Sequence, residues 1–222
     1  MCCKRSKKYG NIEMNCPEYR QTPFFLKGKK ILLRPLADED AFGNYPQWLN
    51  DSTVCAGNSH AVYPYTKEQA LEFIHQSRGR KDLLVLAIVD QSSGRHIGNI
   101  SLQSINFVNR SAEVAILLGD KELWGKGFGT EAVALLIRHA FFTLNLHRVY
   151  FGTPASNRGM QKIGEALGMR KEGCRREAFY KNGTYEDIWE YGLLHSEFTD
   201  NAKTLSSLPG SSFQQETGNA PG

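Results

Sequence analysis

Apolar positions fall into blocks whose period changes along the chain, and each change marks an element. Lys30-Ile31-Leu32-Leu33-Arg34-Pro35 reads as a short strand closed by proline. Ala37 to Asn50 reads as one helix, with Trp48 and Leu49 near its end, and Asp51 to Tyr65 as a loop. Thr66-Lys67-Glu68-Gln69 fits a capping box. Ala70, Leu71, Phe73 and Ile74 give the helix that follows an apolar face, ending near Gly79. Leu83 to Val89 is a buried strand, and His96 to Leu102 is the returning arm of a hairpin. Ser111 to Leu118 is the next strand. Thr130 to Leu144 then carries Val133, Leu136, Ile137, Ala140 and Phe141 at helical spacing. His147 to Thr153 is a strand, and Asn157 to Leu167 a helix stopped at Gly168. Arg170 to Tyr180 and Thr184 to Leu194 are strands joined through Asn182-Gly183, a strong hairpin signal.

The order is βααββ, then βαβα, then ββ. It describes a mixed α/β fold with helices on both faces of a sheet, not a regular doubly wound sheet. Residues 1–27 lack apolar periodicity and read as a basic, mostly irregular arm. Residues 28–197 hold the folded domain. From Phe198 the composition turns to Ser, Gly, Gln, Pro and Asn, so residues 198–222 read as a disordered tail.

Composition narrows the partners. The chain has 222 residues, 41% hydrophobic and 23% charged, which suits one globular domain. No apolar run approaches the roughly 18 residues that span a bilayer, and no apolar segment follows the basic N-terminus. A cytoplasmic protein without a membrane partner is expected. The net charge of +4 is unevenly spread: residues 1–30 carry eight Lys and Arg against two Glu, a net of +6, which leaves −2 for the remainder. The body thus has no basic stripe, and no nucleic-acid partner is expected. Cys2, Cys3, Cys16, Cys55 and Cys174 are odd in number and irregular in spacing. Neither a disulfide framework nor a metal site is expected from them. Monomer and homodimer remain open.

The chemistry concentrates at Leu123-Trp124-Gly125-Lys126-Gly127-Phe128-Gly129-Thr130, where a strand leads through three glycines into a helix. Bare amides and the dipole at a helix start favour a phosphate there. Three phosphate ligands compete. A nucleoside triphosphate loop needs Ser or Thr directly after Gly-Lys, and Gly127 follows Gly125-Lys126. A dinucleotide fingerprint fits Gly127 to Ala132 literally but needs an acid about twenty residues on. Between Ala132 and Gly164 there is no Asp or Glu.

The third reading comes from the surroundings. Trp124 to Ala132 resembles the acyl-CoA pyrophosphate loop of the GNAT N-acetyltransferases. Ala112 to Gly119, Leu144 to Tyr150, Asn157 to Met169, Arg170 to Gly173 and Asn182 to Asp187 resemble the neighbouring family motifs in the same order. The likeness covers roughly residues 25 to 197. It falls in the branch containing ribosomal-protein N-terminal acetyltransferases and is also similar to bacterial enzymes that acetylate amino groups of nucleotide-linked sugars. The family loop often begins with Gln or Arg where this chain has Trp124. Many members carry a tyrosine, the acid for the departing thiolate, at the position of Gly164.

The resemblance implies the GNAT fold: a central mixed, mostly antiparallel sheet splayed between two strands. It implies acetyl-CoA as co-substrate, with pantetheine beside Ile116, Leu117 and Leu118, in the gap between Val114–Leu118 and His147–Thr153. It places pyrophosphate on Trp124, Gly125, Lys126, Gly127, Phe128, Gly129 and Thr130, and a pantetheine contact on Asn157. An amide near Leu117 would face the thioester oxygen. Glu113, an acid in an apolar strand, is the candidate base; otherwise it pairs with Arg110 or Arg148. Ser156 is the candidate acid, or else the cap of the following helix. Asn99, Tyr180 and Tyr185 are candidate acceptor contacts. His60 lies in the acceptor loop, while His75 and His139 read as surface residues. The expected reaction is acetylation of a primary amine, first an amino sugar on a nucleotide carrier and second a protein N-terminus. A non-catalytic CoA sensor is the reading from another class.

Overall fold

Alternating apolar residues commit both faces of the central strands to burial. In Leu84–Asp90, for example, Leu86 and Ile88 face one core while Ala87 faces the other. The computed structural model describes residues 24–200. Its strands, in chain order, are β1 (Leu26–Lys27), β2 (Ile31–Pro35), β3 (Leu84–Asp90), β4 (His96–Asn106), β5 (Ser111–Leu118), β6 (Arg148–Pro154), β7 (Arg170–Lys181) and β8 (Thr184–Leu194). They form one sheet in the order β1-β2-β3-β4-β5-β6-β8-β7. Only the central β5–β6 pair is parallel; the other neighbours are antiparallel. The helices are α1 (Tyr45–Asn50), α2 (Lys67–Ser77), α3 (Phe128–Phe142), α4 (Arg158–Ala166) and α5 (His195–Asp200). The larger core joins α3 to Ile31, Leu33, Ile97, Ile100, Val149 and Phe151 of the sheet. The smaller one packs Tyr45, Trp48 and Leu49 of α1 and Ala70 and Ile74 of α2 on the opposite face.

Several expected boundaries move. The single helix expected over Ala37–Asn50 is two pieces, a 3-10 turn at Asp38–Phe42 and α1, separated at Gly43 and Asn44. The cause is tertiary. Asp40 is buried and accepts from Arg34 Nη1 and Nη2 at 2.7 Å each and from Ala37 N at 2.8 Å, and His96 Nδ1 lies 3.0 Å away. Pinning that carboxylate into the core fixes a tight turn where helical periodicity predicted continuity. β4 runs four residues beyond Leu102, because β5 keeps pairing with it to Asn106. Phe198 is not the start of a structureless tail: it sits in α5 at 2% exposure, its ring 5.3 Å from that of Phe141. At the other end, Leu26–Lys27 of the expected irregular arm pair with β2. The remainder of the arm, with Cys2, Cys3 and Cys16, and the tail from residue 201 lie outside the described residues. No helix among the described residues is long and apolar enough to cross a membrane.

Candidate active site

β5 and β6 pair only at Ser111↔Arg148, Ala112↔Val149 and Glu113↔Tyr150, and then part. The register decides which groups face the gap. Gly119 N donates to Ile97 O at 2.9 Å, so in an alternating antiparallel ladder Leu117 also directs its backbone toward β4, opposite Asn99. Ile116 and Leu118 direct theirs toward β6. This sharpens the expectation of an amide near Leu117: the amides aimed into the gap are those of Ile116 and Leu118. Trp124 Nε1 donates to Leu118 O at 2.8 Å and so closes the end of that edge.

The gap opens into a cavity of about 700 Å³, within the range of small-molecule sites. Ile116, Leu117, Leu118, Trp124, Gly125, Gly127, Gly129, Thr130, Ser156 and Asn157 line it. Gly127 holds φ at +86° as the residue before α3, and Gly125 holds +72°. A side chain is strained at either position, which is why the loop needs glycine there. α3 begins at Phe128, two residues earlier than expected, and Gly129 and Thr130 of its first turn line the cavity. Two members of the expected loop set do not line the cavity: Lys126 donates its amide to Leu123 O and accepts from Lys30 Nζ at its carbonyl, and Phe128 packs against the core.

Asn157, not Ser156, caps α4: its Oδ1 accepts from Met160 N at 3.2 Å. Ser156 is exposed, and its amide donates to Glu186 Oε2 at 3.0 Å. Gly164 backs directly onto the sheet. A Cβ there would lie 2.8 Å from Phe151 Cζ, so a larger residue does not fit without moving the Phe151–Tyr191 stack.

Glu113 sits at the crotch of the splay with its side chain on the face away from α3, half-buried and outside the cavity lining. Arg110 bonds Asn145 and Arg148 bonds Glu172, so neither takes the partnership with Glu113 that the sequence allowed. Burial pushes the Glu113 carboxyl up, the nearby Glu190 carboxylate adds to the shift, and Arg175 opposes it. Asn99 stands across from Leu117 at 9% exposure; its Oδ1 lies 2.8 Å from His96 Nε2, and its Nδ2 has no partner. It belongs to the polar chain from Asp40, not to the cavity wall. Tyr180 and Tyr185 are exposed on the β7–β8 hairpin tip, their ring centroids 4.8 Å apart. Between them, Lys181 Nζ donates to Asn58 O at 3.0 Å and His60 O at 2.5 Å, tying the hairpin to the loop at the cavity. His75 is an exposed surface residue beside Asp38, but His139 is buried against the Phe25 ring, and burial lowers its pKa.

Sequence reasoning missed part of the wall. Thr53, Val54, Ala56, Gly57 and Asn58 close it on one side, with Gly57 packed so that a Cβ would lie 2.9 Å from Asn157 Cγ. Arg158 and Lys162 line it from α4. Their spacing of four residues on a helix was a usable signal for a basic face.

Comparison with known proteins agrees with this geometry. Residues 30–170 match the model of the acetyltransferase (GNAT) domain. The chain is 33% identical over 180 residues to the probable N-acetyltransferase YjcK of Bacillus subtilis, covering 78% of this chain and 98% of that protein. It is 37% identical over 105 residues to the putative ribosomal N-acetyltransferase YdaF of the same organism, covering 47% and 57%. In fold it is similar to spermidine N-acetyltransferase from Vibrio cholerae, solved in complex with CoA and spermine. The TM-score is 0.70 at 24% identity, covering 77% of this chain and 98% of that one.

Proposed function

The chain belongs to the GNAT acetyltransferase family and is an acetyl-CoA-dependent acyltransferase, and from that premise we propose that it acetylates a small primary amine by direct attack, with Glu113 as base. The observation that carries this reading is the splay of β5 from β6 onto a glycine-bounded cavity. Acetyl-CoA supplies the activated acyl group as a thioester. The residues present suit it: an extended edge for the amides of pantetheine, a helix start for pyrophosphate, and the cations Arg158 and Lys162 on the wall. Of the loop from Trp124 to Thr130, the backbone at Gly125, Gly127, Gly129 and Thr130 holds the pyrophosphate, since the Trp124 and Lys126 amides bond Lys121 O and Leu123 O, and the Asn157 side-chain amide takes the pantetheine arm. The amides of Ile116 and Leu118 are the donors for the thioester oxygen. Alignment of this kind contributes up to about 7–11 kcal/mol in favourable systems.

Glu113 lies four residues before Leu117 on an extended strand, about 13 Å along it. It therefore draws the proton from the amine through water, not by contact. Burial, and then the Glu190 carboxylate, raise its pKa, which makes it a stronger proton acceptor than an ordinary carboxylate. Gly164 rules out an acid from that position of α4, and the Ser156 hydroxyl at the cavity is the group assigned to the departing thiolate.

The acceptor is small and enters past the Tyr180–Tyr185 tip, beside the Lys181 tie that joins the tip to the loop at Asn58 and His60. The Glu113 carboxylate favours an ammonium, whereas Glu190 is paired with Arg175 at 2.6 Å, and the exposed tyrosine pair offers a flat face to the rest of the molecule. An amino sugar on a nucleotide carrier combines both features and is the first expectation. A protein N-terminus is the second, favoured by the similarity to YdaF. The test is free-thiol release from acetyl-CoA across amines that include aminodeoxy sugar nucleotides, ribosomal N-terminal peptides and linear diamines. Amine-dependent thiol release is expected from at least one arm. CoA binding with no release in any arm overturns the reading in favour of a sensor.

A further inference from the structure

The pyrophosphate loop has a neighbour that its own sequence does not contain. Gly28 to Ile31, the turn between β1 and β2, lies against the start of α3, about a hundred residues away in the chain. Glu131 Oε1 accepts from the amides of Lys29 and of Lys30, the latter at 3.0 Å. Gln91 Nε2 donates to Gly28 O at 2.6 Å and Ile31 O at 2.9 Å, and Gln91 N donates to Lys30 O at 2.8 Å. The turn is thus held from the helix and from the β3–β4 turn together. From this platform the Lys30 side chain crosses to the loop. Its Nζ donates to Lys126 O at 2.9 Å, stands 5.6 Å from the centre of the Phe128 ring, and lies 3.6 Å from where a Cβ of Gly127 would be. Among the described residues Lys30 makes no ion pair. An ammonium with two hydrogens to spare is held at the one peptide whose left-handed turn presents the first amides of α3.

We infer that Lys30 is a phosphate-binding residue of this site, supplying from the β1–β2 turn a cation that the loop itself lacks at Trp124. The Trp124 indole spends its one polar hydrogen on Leu118 O, and the Trp124 amide donates to Lys121 O, so neither is left for a phosphate. Glu131 is a positioning residue for Lys30: its carboxylate bonds the turn and does not neutralise the ammonium. Gly28 is required because a Cβ there would meet that carboxylate, at 3.0 Å from Glu131 Cδ. The inference rests on the proposed CoA site, and the test separates the two.

CoA itself is the probe, titrated by calorimetry into the full chain. Wild type is compared with Lys30→Met, Lys30→Gln and Lys30→Arg, each at 0.05 M and 1 M salt. Lys30→Met weakens CoA binding about tenfold at low salt, the scale of one charge-assisted bond. Lys30→Gln, which keeps a donor for Lys126 O but no charge, falls with it, and Lys30→Arg stays within threefold of wild type. The difference shrinks at 1 M salt, where charges are screened within about 3 Å. Melting temperature without CoA is unchanged in Lys30→Gln. Wild-type binding in Lys30→Gln, or a loss that persists at high salt, makes Lys30 a loop tie and overturns the inference. A wild type that binds no CoA overturns the proposed site, and Lys30 with it.

Discussion

Gly98 is the residue on which the approach of β4 to β5 depends, and Gly98→Ala is the sharpest perturbation of the acyl end of the site. It pairs with Leu118, and a Cβ there would lie 3.0 Å from Leu118 Cα and 3.3 Å from Leu117 C, with Leu117 O nearer still. All three are backbone atoms, so no rotamer change relieves the clash. Non-bonded heavy atoms settle near 3.5 Å or beyond, so β5 must retreat by about 1 Å. Gly119 N and Asp120 N reach Ile97 O at 2.9 and 3.2 Å. The retreat carries both past hydrogen-bonding distance at about 1 kcal/mol each, with roughly 1 kcal/mol of overpacking strain besides. The expected loss is about 2–3 kcal/mol, or a melting temperature about 5–10 °C lower for a domain of this size. A 1 Å shift of the strand facing the thioester lowers kcat about a hundredfold. Gly173→Ala is the control: nothing lies within 4 Å of its Cβ position and its φ is not left-handed, so it melts as wild type. Differential scanning calorimetry and thiol-release kinetics give both readouts. A Gly98→Ala protein that melts within 1 °C of wild type, with its kcat intact, refutes the argument that this approach seats the acyl group.

Glu113→Gln lowers kcat by about 10²–10³ while leaving the acetyl-CoA KM within threefold; an unchanged kcat removes Glu113 from the mechanism. A base must be ionised, and burial, then Glu190, raise the Glu113 pKa, so activity climbs with pH through a limb above the ordinary Glu range. Glu190→Gln removes the like charge and moves that limb to lower pH; a limb that stays in place contradicts the assignment. Asp40→Ala strips the carboxylate from a buried cluster with Arg34 and His96 and destabilises by about 3–5 kcal/mol, read from denaturant melts. Burial alone would raise the Asp40 pKa, but Arg34 and His96 outweigh it and hold the carboxyl well below the usual range. Its stabilisation is therefore complete above the unfolded value of about 4 and is lost as pH falls from there toward the folded value. Melts between pH 6 and 2.5 should show wild type converging on Asp40→Ala.

Local signals in the sequence carried through wherever the chemistry was local. Asn182 and Gly183 both take positive φ, 51° and 83°, at the hairpin tip. Thr66 and Gln69 make both bonds of the capping box, and Gly168 follows α4 at φ 76°. The strand–loop–helix order around Gly125 to Gly129 stands as read. What periodicity could not show was set by distant partners. Asp40 looks like a helix-surface acid until Arg34 and His96 bury it. Phe198 looks like part of a polar tail until the Phe141 ring is beside it. Gly57 reaches Asn157, and Lys30 reaches the loop at Lys126, only because the sheet brings remote turns together. The even-odd alternation that sends Ile116 and Leu118 to the gap was fixed by one ladder bond, Gly119 to Ile97, that no composition rule predicts.

The parting of β5 and β6 has a consequence for self-association. A strand with unpaired amides and carbonyls is ordinarily found at the rim of a sheet, where it recruits other chains and seeds aggregates. Here the unpaired rows lie in the middle of the sheet, with α3 and α4 over one face and the loop at Gly57 across the mouth. In the proposed site these same rows take the pantetheine arm, so a feature that would be an aggregation liability at a rim serves here as a receptor.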